Sequence, residues 1–246
     1  MNTLFAFSLE DGLMWLCRFV QTGAAVVLVG TGTLRLLAWS GTTAPLGAPR
    51  WNRLAMACWI TLLLSAILQL GLTTAQMGDL SLVESFEGHA LASVFVGTRF
   101  GAVWQVRLVL LVVLLLAGIC GAVLFRRERR TASRVVDVVV LLLTVALLAS
   151  LVATGHAQAT DQRAWLLPTD MLHAGAAGAW PGGLLPLVIL LARARCQPEW
   201  VSAATTITRR FSRLSVVAVG VLALSGTVNA YALVGTPAEL WTSVYG

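Results

Sequence analysis

The chain has 246 residues, of which 58% are hydrophobic and only 11% are charged, whereas soluble domains carry roughly 25% charged residues. Its formal net charge is +6, and all 17 basic residues are arginine. In a soluble protein this charge would suggest nucleic acid as a partner, but here the arginines fall in short segments between apolar runs. We therefore predict no separate soluble domain and no nucleic-acid partner, but one polytopic membrane domain over residues 1–246.

Six apolar runs follow one another along the chain, each long enough to cross a bilayer. A spanning helix needs about 20 predominantly apolar residues, and its backbone polar groups must be satisfied internally. The first run follows polar and acidic residues without a cleavable signal pattern, so we expect it to be retained. The sequence predicts an all-α integral membrane protein, a bundle of about six transmembrane helices at residues 12–39, 54–75, 103–125, 135–154, 171–192 and 212–234.

The arginines indicate the orientation of the bundle. Thirteen of the 17 lie in or beside the connections after the first, third and fifth runs, while the opposite connections are mainly acidic. Arginine-rich loops remain in the cytoplasm, so both termini are predicted to face outward. The 13 are Arg35, Arg50, Arg53, Arg126, Arg127, Arg129, Arg130, Arg134, Arg193, Arg195, Arg209, Arg210 and Arg213.

Two segments depart from a simple spanning pattern. In the second outer loop, residues 90–96 are apolar but too few to span, which favours an interfacial or re-entrant helix. In helix five, Pro181-Gly182-Gly183 and Pro186 predict a kink, which neighbouring helices can cover. Gly175, Ala179 and Gly183 form a row of small residues that favours close helix packing.

The three histidines all fall on the predicted outer side. Imidazole combined with thioether and thiol groups forms a soft ligand set that suits copper. Met14 and Cys17, three residues apart, share one face of helix one near its outer end. We therefore predict an outer copper site, although each side chain also has an ordinary packing or interfacial role open to it. The candidate ligands are His156, His173, His89, Met171, Met77, Met14 and Cys17.

Further polar and aromatic groups accompany these ligands. Asp170 precedes His173 by three residues and is predicted to orient its imidazole. Trp180 lies seven residues after His173 on the same helix face, where it either packs beneath the site or is an ordinary core or interface aromatic. Asn229, with Ser225, places polar groups in the outer half of helix six, where they line the same cavity or bond neighbouring helices.

Soft side chains also occur near the predicted inner ends of helices two and three. Met56, Cys58 and Cys120 form a possible exit route for a soft metal, and ordinary packing is the favoured alternative. No Cys pair has the spacing of a disulfide framework or a CxxC motif, and no ATP-binding motif is present.

Several motifs occur in an order that resembles the copper resistance protein D family (CopD, PcoD). The resemblance covers the chain from about residue 90 and is strongest over 170–246. Tyr245-Gly246 usually leads into further helices in that family, so we expect a shortened form or a truncated sequence. The motifs are Thr98-x-Phe100-Gly101-x-x-Trp104-x-x-Arg107, Thr154-Gly155-His156-Ala157, Asp170-x-x-His173, Trp180-Pro-Gly-Gly183, Arg210-Phe211-Ser212, Ser225-Gly226-x-x-Asn229-Ala230 and Leu240-x-Thr242-x-x-Tyr245-Gly246.

The resemblance implies a bacterial inner-membrane protein that moves or accepts copper, as Cu(I) or Cu(II), beside a periplasmic CopC-like copper carrier. No enzymatic activity is expected. One alternative is a b-type haem electron-transfer protein, since bundles hold haem between histidines on facing helices. Another is a non-transporting assembly subunit of copper homeostasis. The oligomeric state is left open.

Overall fold

The computed structural model describes residues 9–39, 49–156 and 166–234, and almost all of them are helical. Two short 3-10 turns, Glu84–Phe86 and Pro198–Trp200, join helices. The α-helices are α1 Leu9–Ala38, α2 Pro49–Gly78, α3 Gly88–Gly97, α4 Arg99–Arg126, α5 Arg130–His156, α6 Leu167–Ala179, α7 Pro181–Cys196 and α8 Val201–Val234.

The prediction of six apolar spans in an all-α membrane protein is confirmed. Within the described residues, six helical segments are long and apolar enough to cross a bilayer, with α6 and α7 together forming the fifth. The chain is therefore a multi-pass membrane bundle. The spans are Asp11–Ala38, Trp51–Gly78, Arg99–Arg126, Arg130–Val152, Leu167–Cys196 and Pro198–Ala232.

Successive spans run antiparallel. The Sγ of Cys17 donates to the carbonyl oxygen of Ser65 at 3.0 Å, whereas Arg35 donates to Asn52 at 3.1 Å, so α1 and α2 run in opposite directions. Similar contacts relate α4 to α5 and α6 to α8. The helix segments that carry the histidines therefore lie at one end of the bundle, which we call the histidine end. The other end, the arginine end, holds the Arg126–Arg130 turn.

Helix α1 is the central element, and it contacts α2, α5, α6, α7 and α8. Its side chains pack into the two largest apolar clusters of the described residues. Toward the histidine end and the middle, Ala25 and Leu28 pack with residues of α2, α4 and α5. Toward the arginine end, Leu34 packs with α7 and α8. The bundle therefore divides around α1 into an α2–α4–α5 side and an α6–α7–α8 side.

The predicted kink in helix five is a break at Trp180. Pro181 begins α7 because its ring fixes φ and it has no N–H to donate, a common arrangement at a helix start. The backbone N–H of Trp180 still donates to Ala176, and Gly183 N–H donates to Trp180, so backbone hydrogen bonds continue on both sides of the break. The side chain of Trp180 packs against the apolar cluster that contains Leu187 and Phe211, which agrees with the alternative of a core aromatic.

Close packing around α7 uses Gly183 of the predicted row, where a Cβ would lie 2.5 Å from Phe211 Cε2, together with two glycines outside the row. A Cβ on Gly182 would fall against the backbone of Val26, and a Cβ on Gly30 would fall against the backbone of Gly182. A Cβ on Gly175 would meet nothing within 4 Å, so that end of the predicted row makes no close contact. The break at Trp180 turns α7 relative to α6 and presents Gly182 to α1.

The last span begins earlier than predicted. Helix α8 starts at Val201, so Arg209, Arg210 and Arg213 lie inside a helix, not in a loop. The segment 201–211 is too polar to be predicted as a membrane span, yet its apolar side chains Ala204, Ile207 and Phe211 recur at helical spacing and are buried. Arg210 donates to the carbonyl oxygen of Leu37 at 2.7 Å.

The second loop at the histidine end contains the predicted short helix. Helix α3 packs against α2 and α4. The hydroxyl of Thr98 accepts a hydrogen bond from Gly101 N–H at 2.9 Å and so caps the start of α4.

A polar site between α6 and α8

Two side-chain pairs connect α6 to α8 near the histidine end. Asn229 Nδ2 donates to Asp170 Oδ1 at 2.7 Å, and His173 Nδ1 lies 3.0 Å from Ser225 Oγ. The residues of each helix are three or four positions apart and therefore lie on one face. Asp170 and Ser225 are buried. We call these four residues the α6–α8 site.

The hydrogen bonds of Ser225 assign the tautomer of His173. The Ser225 hydroxyl lies 2.6 Å from the carbonyl oxygen of Val221, which can only accept, so the hydroxyl proton is used there. His173 Nδ1 must then donate to Ser225 Oγ and carry the imidazole proton. Nε2 is left with its lone pair, which is the form in which a histidine binds a metal ion. Ser225 therefore orients the imidazole at Nδ1, the role predicted for Asp170.

The site also contains a side-chain oxygen that is an unused hydrogen-bond acceptor. Asn229 Oδ1 is buried and has no hydrogen-bond partner among the described residues, although such atoms are usually paired. A Cβ on Gly226 would lie 3.5 Å from His173 Cε1, an ordinary van der Waals distance, so the α8 backbone packs close to the imidazole ring. The site thus combines an imidazole nitrogen, a carboxylate and an amide oxygen.

Met14 and Cys17 lie elsewhere. Both are buried on one face of α1, and on that face the Cys17 thiol donates to the Ser65 carbonyl oxygen of α2. This is a packing environment with a satisfied thiol. The structure does not bring these two side chains to the α6–α8 site.

The remaining predicted ligands are dispersed over the surface of the histidine end. Met77, His89 and Met171 are all exposed, on α2, α3 and α6. Met171 is two positions from His173 and therefore faces the opposite side of α6. His156 ends α5, and its side chain lies outside the described residues. Within the described part of the chain, no three His, Cys, Asp or Glu side chains form a metal-binding group.

The three side chains of the predicted inner exit route are also in different environments. Cys58 is buried in the cluster shared by α1, α2, α4 and α5, whereas Met56 and Cys120 are exposed on α2 and α4. No line of soft ligands joins them among the residues described.

A buried arginine, Arg107, lies in the same half of the bundle as the α6–α8 site. In the sequence it was noted only as part of a motif. Arg107 is 2% exposed, and its guanidinium donates to the carbonyl oxygen of Ser150 at 2.7 Å and to Ser150 Oγ at 3.3 Å. Gln69 Oε1 lies 3.5 Å away. Its signal is in the sequence, because a charge inside an apolar run is a functional hypothesis by default. Arg107 ties α4 to α5 and places a fixed positive charge on the α2–α4–α5 side.

Comparison with known proteins relates the chain to copper resistance and copper transport proteins. The family described as "Copper resistance protein D-like, N-terminal domain" matches residues 9–165, which contain α1 to α5. "Copper transport protein CutJ" of Bacillus subtilis (strain 168) is 28% identical over 93% of this chain, and "Copper resistance protein D" of Pseudomonas syringae pv. tomato is 28% identical over 92%. The chain spans 41% of the former protein and 72% of the latter. No solved structure matches.

Proposed function

Because the chain belongs to the copper resistance protein D-like family, we propose that it accepts copper at the α6–α8 site and passes it across the bacterial cytoplasmic membrane. The observation that carries the proposal is the orientation of His173, whose Nδ1 is held by Ser225 so that Nε2 keeps its lone pair. Asp170 and the unpartnered Oδ1 of Asn229 add oxygen donors beside it. The protein acts in this proposal as a transporter or acceptor and not as an enzyme.

The donors favour Cu(II) as the ion first bound. Imidazole binds copper in both oxidation states, but carboxylate and amide oxygens are harder ligands, whereas Cu(I) prefers thiolate and thioether. Met77 and Met171 are exposed, and the Cys17 thiol is bonded to Ser65, so these soft side chains do not support Cu(I) as the ion first bound. His156 remains a candidate additional ligand, since α5 ends at the histidine end and packs against α6.

The charge distribution supports the direction in which the bundle is inserted. The Arg126–Arg130 turn lies at the arginine end, which we assign to the cytoplasm by the positive-inside rule. The histidine end then faces the periplasm, where a CopC-like carrier delivers copper. Arg107 repels a cation from the α2–α4–α5 side, which leaves the α6–α7–α8 side as the route.

The test uses the purified chain in liposomes and measures copper binding and uptake. We expect His173→Ala to abolish both, while Leu172→Ala, at the adjacent exposed position, retains them. Equal uptake by wild type and His173→Ala would refute the proposal. An absorption spectrum of the same sample tests the haem alternative, because a Soret band would identify bound haem.

A second pair of variants tests the role of the Ser225 hydroxyl. Ser225→Ala removes the acceptor of the His173 Nδ1 proton, and losing such an orienting partner typically weakens metal binding by about 10- to 100-fold. Thr227→Ala is the matched control, because its hydroxyl bonds only the Ala223 carbonyl oxygen and faces away from α6. Equal copper affinity in the two variants would show that Ser225 does not orient a ligand.

A further inference from the structure

A cleft of about 190 Å³ opens in the arginine half of the bundle, away from the α6–α8 site. It is bounded by α1, α2, α4 and α5, and nearly all of its lining is apolar. Its volume exceeds the roughly 150 Å³ of an engineered apolar cavity that binds benzene. Its lining includes Leu28, Gly32, Met56, Trp59, Leu115 and Gly118.

The mouth of the cleft lies between α2 and α4. These helices are joined nearer the histidine end, where Trp59 Nε1 donates to the Leu111 carbonyl oxygen and Trp104 Nε1 to that of Ala66, both at 2.8 Å. Nearer the arginine end, Met56 of α2 and Ile119 of α4 both line the cleft and are exposed, which places its opening between these two helices. Because α2 and α4 are membrane spans, the opening faces the hydrocarbon of the bilayer.

The cleft ends in polar groups toward the arginine end. Arg35 lies at this wall, paired with Asp137 at 2.8 Å and bonded to Asn52. Its Nε is buried and has no hydrogen-bond partner among the described residues. The two walls formed by α4 and α5 continue into the Arg126–Arg130 turn, which is exposed.

We propose that this cleft binds an anionic phospholipid, with one acyl chain between α2 and α4 and the phosphate at the α4–α5 turn. The apolar lining and the sideways opening match a hydrocarbon chain. Arginine binds phosphate through paired N–H donors. The exposed arginines of the turn lie four to eight positions beyond Ala122 of the cleft lining and can supply these donors; they are Arg126, Arg127, Arg129 and Arg130. A lipid held there would fill the gap between α2 and α4 and fix their separation.

The decisive variant fills the cleft without disturbing the packing. Gly118 lines the cleft, and a Cβ built there meets no atom within 4 Å, so Gly118→Leu places its side chain in open space. Gly220→Leu is the matched control, since Gly220 on α8 also has no atom within 4 Å of a built Cβ and lies outside the cleft. The third variant, Arg126→Gln with Arg127→Gln, lowers the charge of the turn and leaves the cleft intact.

Binding is measured by native mass spectrometry of the delipidated chain titrated with phosphatidylglycerol or phosphatidylcholine. We expect wild type and Gly220→Leu to prefer phosphatidylglycerol, and Gly118→Leu to bind it about tenfold more weakly, since filling the cleft displaces buried CH₂ groups. The double arginine variant should lose the preference between the lipids. Unchanged binding by Gly118→Leu would overturn the cleft as the site. Equal binding of the two lipids by wild type, or a co-purified molecule without phosphate that Gly118→Leu loses, would overturn the anionic lipid as its occupant.

Discussion

The backbone contact between α1 and α7 makes Gly182→Ala the most sharply defined substitution in the bundle. The added Cβ would fall against the Val26 carbonyl oxygen and 2.7 Å from the Val26 carbonyl carbon. Carbon atoms in contact normally lie about 3.5–4.0 Å apart, so the helices must separate by roughly 1 Å. Backbone atoms cannot rotate aside as a side chain does. Because overpacking a filled core typically costs about 1–3 kcal/mol, we expect a loss near 3 kcal/mol in the free energy of unfolding.

The control for this prediction is Gly175→Ala on α6, where a Cβ meets nothing within 4 Å. That substitution should raise the stability by up to about 1 kcal/mol, because alanine is the better helix former. Unfolding by sodium dodecyl sulfate in mixed micelles, followed by far-UV circular dichroism, measures both. If Gly182→Ala and Gly175→Ala unfold at the same detergent fraction, the close approach of α1 and α7 inferred here is wrong.

Three further substitutions or conditions test other parts of the structure. Ser150→Ala should cost about 2 kcal/mol in the same unfolding assay, since the buried Arg107 loses the acceptor of its Nε; an unchanged midpoint would contradict that bond. Asp137→Asn should cost about 1–3 kcal/mol, less than a fully buried pair because the Arg35 side chain is 18% exposed, and high salt should not abolish the difference. Hydrogen bonds from Ser81 hold the pKa of Glu84 below its ordinary value, so they are present at neutral pH and lost as the pH falls through that lowered pKa. The protection factors of the amides in the 3-10 turn, which are exchange rates corrected for the intrinsic pH dependence, should fall only at acidic pH.

Hydropathy was sufficient to predict the six spans, because a long apolar run in lipid can satisfy its backbone only as a helix. It was insufficient at the start of α8, where polar residues alternate with the buried Ala204 and Ile207. There the helix is held by packing of one face, and a hydropathy average includes both faces. The break in helix five followed from Pro181, but the direction in which α7 turns depends on the glycine contacts with α1.

The sequence predicted which site residues share a face of one helix, but it did not predict which helices meet at the site. The spacing of Asp170 and His173 places both on one face of α6, and that of Ser225 and Asn229 does the same on α8. Nothing in the spacing says that these two faces meet. Met14 and Cys17 show the same limitation, because they share a face as predicted, yet that face packs against Ser65 of α2. Which helix faces are paired depends on the packing of the whole bundle.

The glycine contacts of α1 also determine which sequence changes can compensate one another. A Cβ on Gly178 would meet the side chain of Val29, at 2.7 Å from Cγ1 and 2.8 Å from Cβ, so Val29→Gly, which removes both atoms, can make room for Gly178→Ala. Gly182 and Gly30 face backbone atoms, and no substitution on the opposite helix removes a backbone atom. A genetic selection for suppressors should therefore recover second-site changes at Val29 for Gly178→Ala. For Gly182→Ala it should recover reversion to glycine.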